Sequence, residues 1–469
     1  MPQVETHNDT IAAIATAWGE GAIGIVRLSG HQSIPVVDRI FSAKNKQPLK
    51  NLKTFSCRYG WIVQNKNKNG LKEEIIDEVL VLVMRAPSSY TREDVVEIHS
   101  HGGPRVLALI LERVCESGAR LAEPGEFTRR AFLNGRIDLA QAEAVLDIIQ
   151  AKSDLALKNS QDQLSGNISR KISGLREELL EILADVEAGI DFSEETAGLN
   201  EREVVLARLG QASDVLKRLL ESSFQGRLIR EGLKVVIYGR PNVGKSSLLN
   251  AILKQERAIV TPVAGTTRDT IEECVNIKGL AVRLIDTAGI LKHRDAIEKE
   301  AILRTKRALK DCDLVLFVFD GACPLAKEDE VLAKQIRDKK FLIVVNKNDK
   351  KLKVDLARIR HLYSKEPLLV SARSGAHIGE LEEALFNTVF DKGFISTEGL
   401  VVSNARHIDI LKRALKSLKI CQDTLAQGYS MEFAALDLKK AAETIGELTG
   451  EVRSDEILDR IFAKFCLGK

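Results

Sequence analysis

Nine residues, Gly239-Arg240-Pro241-Asn242-Val243-Gly244-Lys245-Ser246-Ser247, constrain this chain more than any other stretch. An apolar run, Val235-Val236-Ile237, leads in, and a helix-forming run, Leu248 to Leu253, leads out. Strand, glycine-rich loop and helix in that order make a cradle for phosphates. Glycine lets the backbone curl until its N–H groups point inward, and the helix N-terminus adds partial positive charge. Lys245 is expected to reach the outer phosphates and Ser246 to place its hydroxyl on Mg²⁺. Val243, Gly244 and Ser247 complete the cradle. A plain glycine-rich turn before a helix would not require the whole pattern GxxxxGK[ST] in this context.

Three later stretches say which nucleotide. Asp286-Thr287-Ala288-Gly289 ends the apolar run Ala281 to Ile285. There Asp286 can hold Mg²⁺ through water and the Gly289 amide can meet the last phosphate. Asn346-Lys347-Asn348-Asp349 ends the run Phe341 to Val345. A carboxylate at Asp349 accepts two hydrogen bonds from guanine, and adenine offers no donors in that place. Ser371-Ala372-Arg373 follows Leu368-Leu369-Val370 and backs the base with a backbone amide. Four motifs, in order and each at a strand end, point to guanine-nucleotide hydrolysis.

Between them lies Val260-Thr261-Pro262-Val263-Ala264-Gly265-Thr266-Thr267-Arg268-Asp269, where a first switch loop belongs. Thr267 is the candidate Mg²⁺ hydroxyl, the alternative being a loop with no ligand role. Ile290 stands where many such enzymes place a Gln to orient the attacking water, and it has no hydrogen-bonding atom. Glu298 and Glu300 could supply a carboxylate instead, or be ordinary solvated helix residues. Asn242, with the carbonyls of Thr261 and Val263, could cage a monovalent cation between the phosphates; Asn242 could equally serve only to shape its loop.

A length of 469 residues implies two to four domains. A net charge of +3 excludes nucleic-acid binding by bulk charge and leaves it to a local patch. The seven cysteines are scattered with no CxxC pair, so neither a zinc site nor a disulfide framework is expected. No leader and no membrane-length apolar run is legible, which implies a cytoplasmic protein with no membrane partner. Lysines crowd Lys334 to Lys353, and a charge run of this kind reads as a solvated face.

Residues 1–122 read as an α+β domain, with strands at Ala22–Leu28, Val79–Met84 and Val95–Ile98 and a helix at Pro104–Ser117. Asn65 to Gly70 reads as a polar hairpin tip, and His99-Ser100-His101-Gly102-Gly103-Pro104 as a tight turn into the helix. Arg27 and Glu97 could bind a polar substrate or form a surface ion pair. Residues 123–226 and 392–469 read as two halves of a helical bundle. Its stripes are Ile137, Ala140, Ala144, Ile148; Leu175, Leu179, Ile182, Val186; and Leu436, Leu438, Ala442, Ile445, Leu448. Asp191 to Glu195 reads as a loop. The nucleotide domain, residues 227–391, is then inserted between the halves, with its two junctions close together. The ending Cys466-Leu467-Gly468-Lys469 fits a prenylation signal badly. Cys466 could be a nucleophile or simply a buried residue.

Assembled, these pieces resemble the MnmE (TrmE) family of tRNA-modification GTPases. The likeness runs through Asp9-Thr10-Ile11, Ile25 to Gly30, Glu93 to Gly103, Pro124-Gly125-Glu126-Phe127, Arg130 to Gly135, Asp138 to Glu143, Gly265 to Asp269 and the Cys-x-Gly-Lys tail. The resemblance implies a tetrahydrofolate-binding and homodimerising N-terminal domain, with Arg27, Glu97, Lys469 and Arg136 (Lys is usual there) as folate contacts. It implies Cys466 as a residue of the modification reaction. It assigns Asn242, Thr261, Val263 and Thr266 to a K⁺ cage and Glu298 to orienting the attacking water. The implied function is a K⁺- and Mg²⁺-dependent GTPase that installs a carboxymethylaminomethyl or aminomethyl group at C5 of wobble uridine 34. It would use 5-formyl- or methylene-tetrahydrofolate and the partner MnmG (GidA), which carries FAD and NADH, in a heterotetramer or larger complex. Hydrolysis would be coupled to dimerisation of the nucleotide domains. Two rival readings remain: an RNA-binding GTPase of ribosome assembly, and a folate enzyme merely regulated by GTP.

Overall fold

The computed structural model describes residues 9–64, 74–191, 199–255, 272–286, 298–390, 401–452 and 454–469. They divide into two compact units, residues 1–146 with 163–176 and 443–469, and residues 147–162 with 177–442.

In the first unit, strands β1 (Ile11–Ile14), β2 (Gly21–Ser29), β3 (Phe41–Ala43), β4 (Ser56–Val63), β5 (Ile75–Met84), β6 (Val95–Gly102) and β7 (Arg120–Leu121) form a seven-stranded sheet ordered β3-β4-β5-β6-β2-β1-β7. Only the β1–β7 pair is parallel. Helices α1 (Ser33–Ile40) and α2 (Pro104–Glu116) share its core. Side chains alternate across a pleated strand. Val79, Val81 and Val83 are accordingly buried with Val96 and Ile98, whereas Leu80 is exposed. The expected turn at Gly102 is instead strand. Gly102 lies opposite Gly21, and a Cβ on it would collide with the Gly21 carbonyl. Glycine serves there for close strand approach.

Helix α3 (Glu126–Leu133) follows, then α4 (Leu139–Gln150), α5 (Asp154–Leu164), α6 (Asn167–Asp191) and α7 (Leu199–Glu221). The stripe read at Ile137, Ala140, Ala144 and Ile148 falls on α4 except for Ile137, which lies in the bend before it. In the first unit Phe132, Leu139 and Ala142 pack with Leu458, Ile461, Phe462 and Phe465 near the C-terminus.

In the second unit, α8 (Ser223–Glu231) leads to β8 (Leu233–Tyr238), α9 (Lys245–Gln255), β9 (Glu272–Ile277), β10 (Leu280–Asp286), α10 (Glu298–Asp311), β11 (Leu314–Asp320), α11 (Lys327–Gln335), β12 (Phe341–Asn346), α12 (Leu356–Tyr363), β13 (Leu368–Leu369) and α13 (Ile378–Val389). The sheet order is β13-β12-β11-β8-β10-β9, and only β9 is antiparallel to its neighbour. Helices on both faces explain the unbroken apolar strands. Val235 and Ile237 enter one core, Val236 and Tyr238 the other.

Helices α14 (Ala405–Ala426), α15 (Met431–Thr449) and α16 (Asp455–Phe462) close the chain. Helix α14 packs on α7. The Val402 N–H donates to Ser222 Oγ at 3.1 Å, and Gly226 lies against the Val402 carbonyl. The nucleotide-domain fold is therefore an insertion whose two ends meet. Leu438, Ala442, Ile445 and Leu448 are buried, but Leu436 is 68 % exposed. Two residues turn a helix by about 200°, which puts Leu436 on the face opposite Leu438.

Candidate functional site

The phosphate loop closes on itself through left-handed backbone, with φ +152° at Gly239, +66° at Asn242 and +96° at Gly244. Gly239 abuts the Val318 carbonyl and Gly244 the Asn346 side chain, so neither position has room for a Cβ. Lys245, 4 % exposed, donates to the carbonyls of Gly239 at 2.9 Å and Arg240 at 2.7 Å. Burial pushes its ammonium below the usual lysine range, and Asp286 partly opposes that. Parallel pairing sets Asp286 opposite Ile237, two residues before the loop. There Asp286 Oδ2 accepts from Ser246 Oγ at 2.5 Å. A hydroxyl and a carboxylate brought together beside a phosphate cradle form a donor set suited to Mg²⁺. Val243 is buried, and Ser247 is exposed on the first turn of α9.

The guanine motif crosses the same loop. Asn346 Nδ2 donates to the Val243 carbonyl at 3.0 Å, and its Oδ1 accepts from the N–H groups of Lys347 at 2.8 Å and Ala372 at 3.0 Å. Asp349 Oδ1 accepts from Ser371 Oγ at 2.7 Å, a bond that holds the Asp349 carboxyl below its ordinary range. Arg373 is exposed beside them. Thr261, Pro262, Val263, Ala264, Gly265, Thr266, Thr267, Thr287, Ala288, Gly289 and Ile290 lie outside the described residues. Glu298 is the first residue of α10.

The first unit gathers a second group. Cross-strand register sets Arg27 of β2 opposite Glu97 of β6. Arg27 Nε donates to Glu97 Oε1 at 2.8 Å. Its Nη1 donates to the Gly468 carbonyl at 3.3 Å, a partner 441 residues away in the chain. Gly468, with φ +88°, packs against the Ile14 carbonyl, which seats the tail on β1. Burial and then Arg27 push the Lys469 ammonium down, while Glu97 and Cys466 oppose them. Tyr90 lies under both guanidinium groups, 5.9 Å from Arg27 and 4.8 Å from Arg136, and Phe127 is 5.8 Å from Arg27. Cys466 is exposed. Arg27, Glu97, Arg136, Lys469 and Cys466 are thus one cluster around two aromatic rings. Three cations, one of them paired with Glu97, and flat apolar faces fit a ligand with carboxylates and a planar ring system.

Sequence reasoning missed Tyr90 and Phe127, for which no periodic signal exists. It also missed that His99 Nε2 shares Glu97 at 3.2 Å and that His101 Nδ1 meets Asp77 at 2.7 Å. No helix among the described residues is long and apolar enough to cross a membrane.

Comparison with known proteins shows the family. A model described as the MnmE helical domain matches residues 139–466, and one described as the N-terminus of the GTP-binding protein TrmE matches residues 10–136. The tRNA modification GTPase MnmE of Thermoanaerobacter pseudethanolicus is 44 % identical over 98 % of this chain and 99 % of its own length. Its counterpart in Exiguobacterium sibiricum is 43 % identical over the same shares. That of Levilactobacillus brevis is 43 % identical over the whole of both chains. This chain belongs to the MnmE family of tRNA modification GTPases, and its enzyme class is that of a GTP hydrolase.

Proposed function

We propose that this chain modifies tRNA. Together with a flavin-dependent partner (FAD and NADH on the partner), it installs the carboxymethylaminomethyl or aminomethyl group at C5 of wobble uridine 34. The relatives' shared name supports tRNA as the substrate. The observation that carries the rest is the seating of the C-terminal tail beside Arg27 and Glu97. An enzyme that only switched on GTP would have no use for a basic, aromatic cluster that joins the C-terminal tail to β2 and β6. Arg27 and Lys469 hold the anionic part of a tetrahydrofolate, and Tyr90 and Phe127 offer flat faces to its ring. Folate, when bound, supplies the bridging carbon, and Cys466 stands on the same tail.

In the nucleotide domain, Lys245 and the loop amides hold the phosphates, Ser246 and Thr267 hold Mg²⁺, and Asp349 reads guanine. Asn242 joins Thr261, Val263 and Thr266 around K⁺, and Glu298 orients the water that Ile290 cannot. Homodimerisation brings two nucleotide domains together, and hydrolysis releases them. The boundaries that serve this division are residues 1–122, 123–226, 227–391 and 392–469.

The test is mass spectrometry of tRNA nucleosides from cells lacking this gene. The C5-methylene-substituted uridine disappears, returns with the wild-type chain, and does not return with Cys466→Ser or Asn242→Ala. An unchanged nucleoside profile in the deletion strain would sink the proposal. Rescue by Cys466→Ser would remove the tail thiol from the reaction.

A further inference from the structure

The nucleotide site contains a carboxylate that no motif calls for. Strand register sets Asp320, the last residue of β11, opposite Asn346, the last of β12. The next residue, Lys347, has φ +68°, which turns it back across the strand ends. Its ammonium then donates to Asp320 Oδ2 at 2.6 Å and to the Asn242 carbonyl at 2.9 Å. The carboxylate is itself held, since Oδ1 accepts from the Ala322 N–H at 2.9 Å. Gly321 secures the strand end. Its N–H donates to the Asn346 carbonyl at 2.8 Å, and a Cβ there would lie 2.9 Å from that oxygen. Asp320 is 12 % exposed and Lys347 28 %.

We propose that Asp320 is a positioning residue for the bound guanine nucleotide, acting through Lys347 to fix the phosphate loop at Asn242. A lysine stem is flexible, and its charge is strongly hydrated. Without a fixed counter-charge, the bond to the Asn242 carbonyl alone would have to keep Lys347 over the loop. With Asp320 in place, it bridges the base-reading segment and the phosphate-reading segment at their crossing. Asn242 sits in left-handed backbone, which asparagine adopts more readily than other non-glycine residues. The Lys347 bond to its carbonyl helps to hold the loop in that turn. A second clamp acts two residues earlier, where Arg240 Nε donates to Asp329 Oδ1 at 2.7 Å and Asp329 is fully buried. Asp320, through Lys347, and Asp329, directly on Arg240, thus hold the loop at two points.

The inference rests on guanine-nucleotide binding at this site, and its test separates the two. Release of a fluorescent N-methylanthraniloyl-GDP is timed by stopped flow from the full chain and from Asp320→Asn, Lys347→Met, the double variant and Asp320→Glu. Thermal unfolding without nucleotide is measured beside it. Each single substitution accelerates release about tenfold, the double no more than the worse single, and Asp320→Glu recovers most of the loss, with midpoints of unfolding unchanged. Coupling of that kind marks two residues acting as one unit. Wild-type release from Asp320→Asn, or single effects that multiply in the double, overturns the inference and leaves nucleotide binding intact. Acceleration that follows a fall in the unfolding midpoint and persists in Asp320→Glu makes the role structural and also overturns it. A folded wild-type chain that binds no guanine nucleotide removes both.

Discussion

Lys469 shows how one residue can be set by a cluster it helps to form. Burial and the neighbouring Arg27 both disfavour its charge, so its ammonium titrates below the ordinary lysine range. An anionic ligand reverses that balance and draws a proton onto the amine. Affinity for 5-formyltetrahydrofolate should therefore be full at neutral pH and fall as pH rises through the lowered Lys469 range, short of the ordinary lysine pKa of about 10.4. Calorimetry between pH 7 and 10 measures it, with proton uptake read from two buffers. Lys469→Arg keeps the charge at all these pH values and should flatten the profile. Lys469→Ala should weaken binding about 10- to 100-fold at pH 7, the worth of a charge-assisted hydrogen bond. A wild-type profile already flat would place the ligand's charge elsewhere.

At the scale of an element, helix α3 is anchored by charge rather than by apolar contact alone. Arg130 is 1 % exposed and meets Asp9 Oδ1 at 2.7 Å, Glu126 Oε1 at 3.0 Å and Glu93 Oε2 at 3.2 Å. Arg120 bonds the same Glu126 at 2.6 Å. Replacing Arg130 with Met leaves Asp9 and Glu126 with Arg120 alone and removes the Arg130 partner of Glu93, and should destabilise the fold by up to about 3 kcal/mol at pH 7, read by urea unfolding. Burial alone would raise the carboxyls of Asp9 and Glu126, but Arg120 and Arg130 hold both below their ordinary values. A lowered folded-state pKa gives stability that is present above the unfolded value and lost as pH falls through the folded one. The gap between wild type and variant should thus narrow as pH drops below about 4. A gap independent of pH would assign the loss to packing. This network was only half legible. Glu126 and Arg130 sit at i,i+4 in a stretch read only as part of the helical bundle, and Asp9 and Glu93 come from loops more than thirty residues away. Gly102 was misread for a related reason: a glycine reads as a turn locally, and only the opposing Gly21 reveals a close pair of strands. The nucleotide strands were the easy part, because burial on both faces leaves unbroken apolar runs and each run ends on its motif.

For the molecule as a whole, the order of the chain and the order in space differ, and the helices show it. Helices α7 and α14 lie on opposite sides of the nucleotide domain in sequence, yet they pack together. Asn159 Nδ2 donates to Ser403 Oγ at 3.0 Å, a second tie between the segments before and after the insertion. Stripes of apolar residues announce helices but not their partners, so the sequence supported insertion only as the simplest arrangement. The packing makes it a physical claim. A domain whose ends meet imposes little loop-closure cost on its host. Excising residues 233–400 and joining the flanks with a short Gly/Ser linker should therefore leave a cooperatively unfolding, helical protein, as judged by circular dichroism and a single thermal transition. The converse fragment, residues 227–391, should bind GTP but unfold at a lower temperature than it does in the full chain. Its core loses the buried Ala156 and the contact of Gly279 with Leu155, whose N–H donates to the Gly279 carbonyl at 3.1 Å. An excised host that fails to fold would mean that the inserted domain, rather than α7 against α14, holds the helices in register.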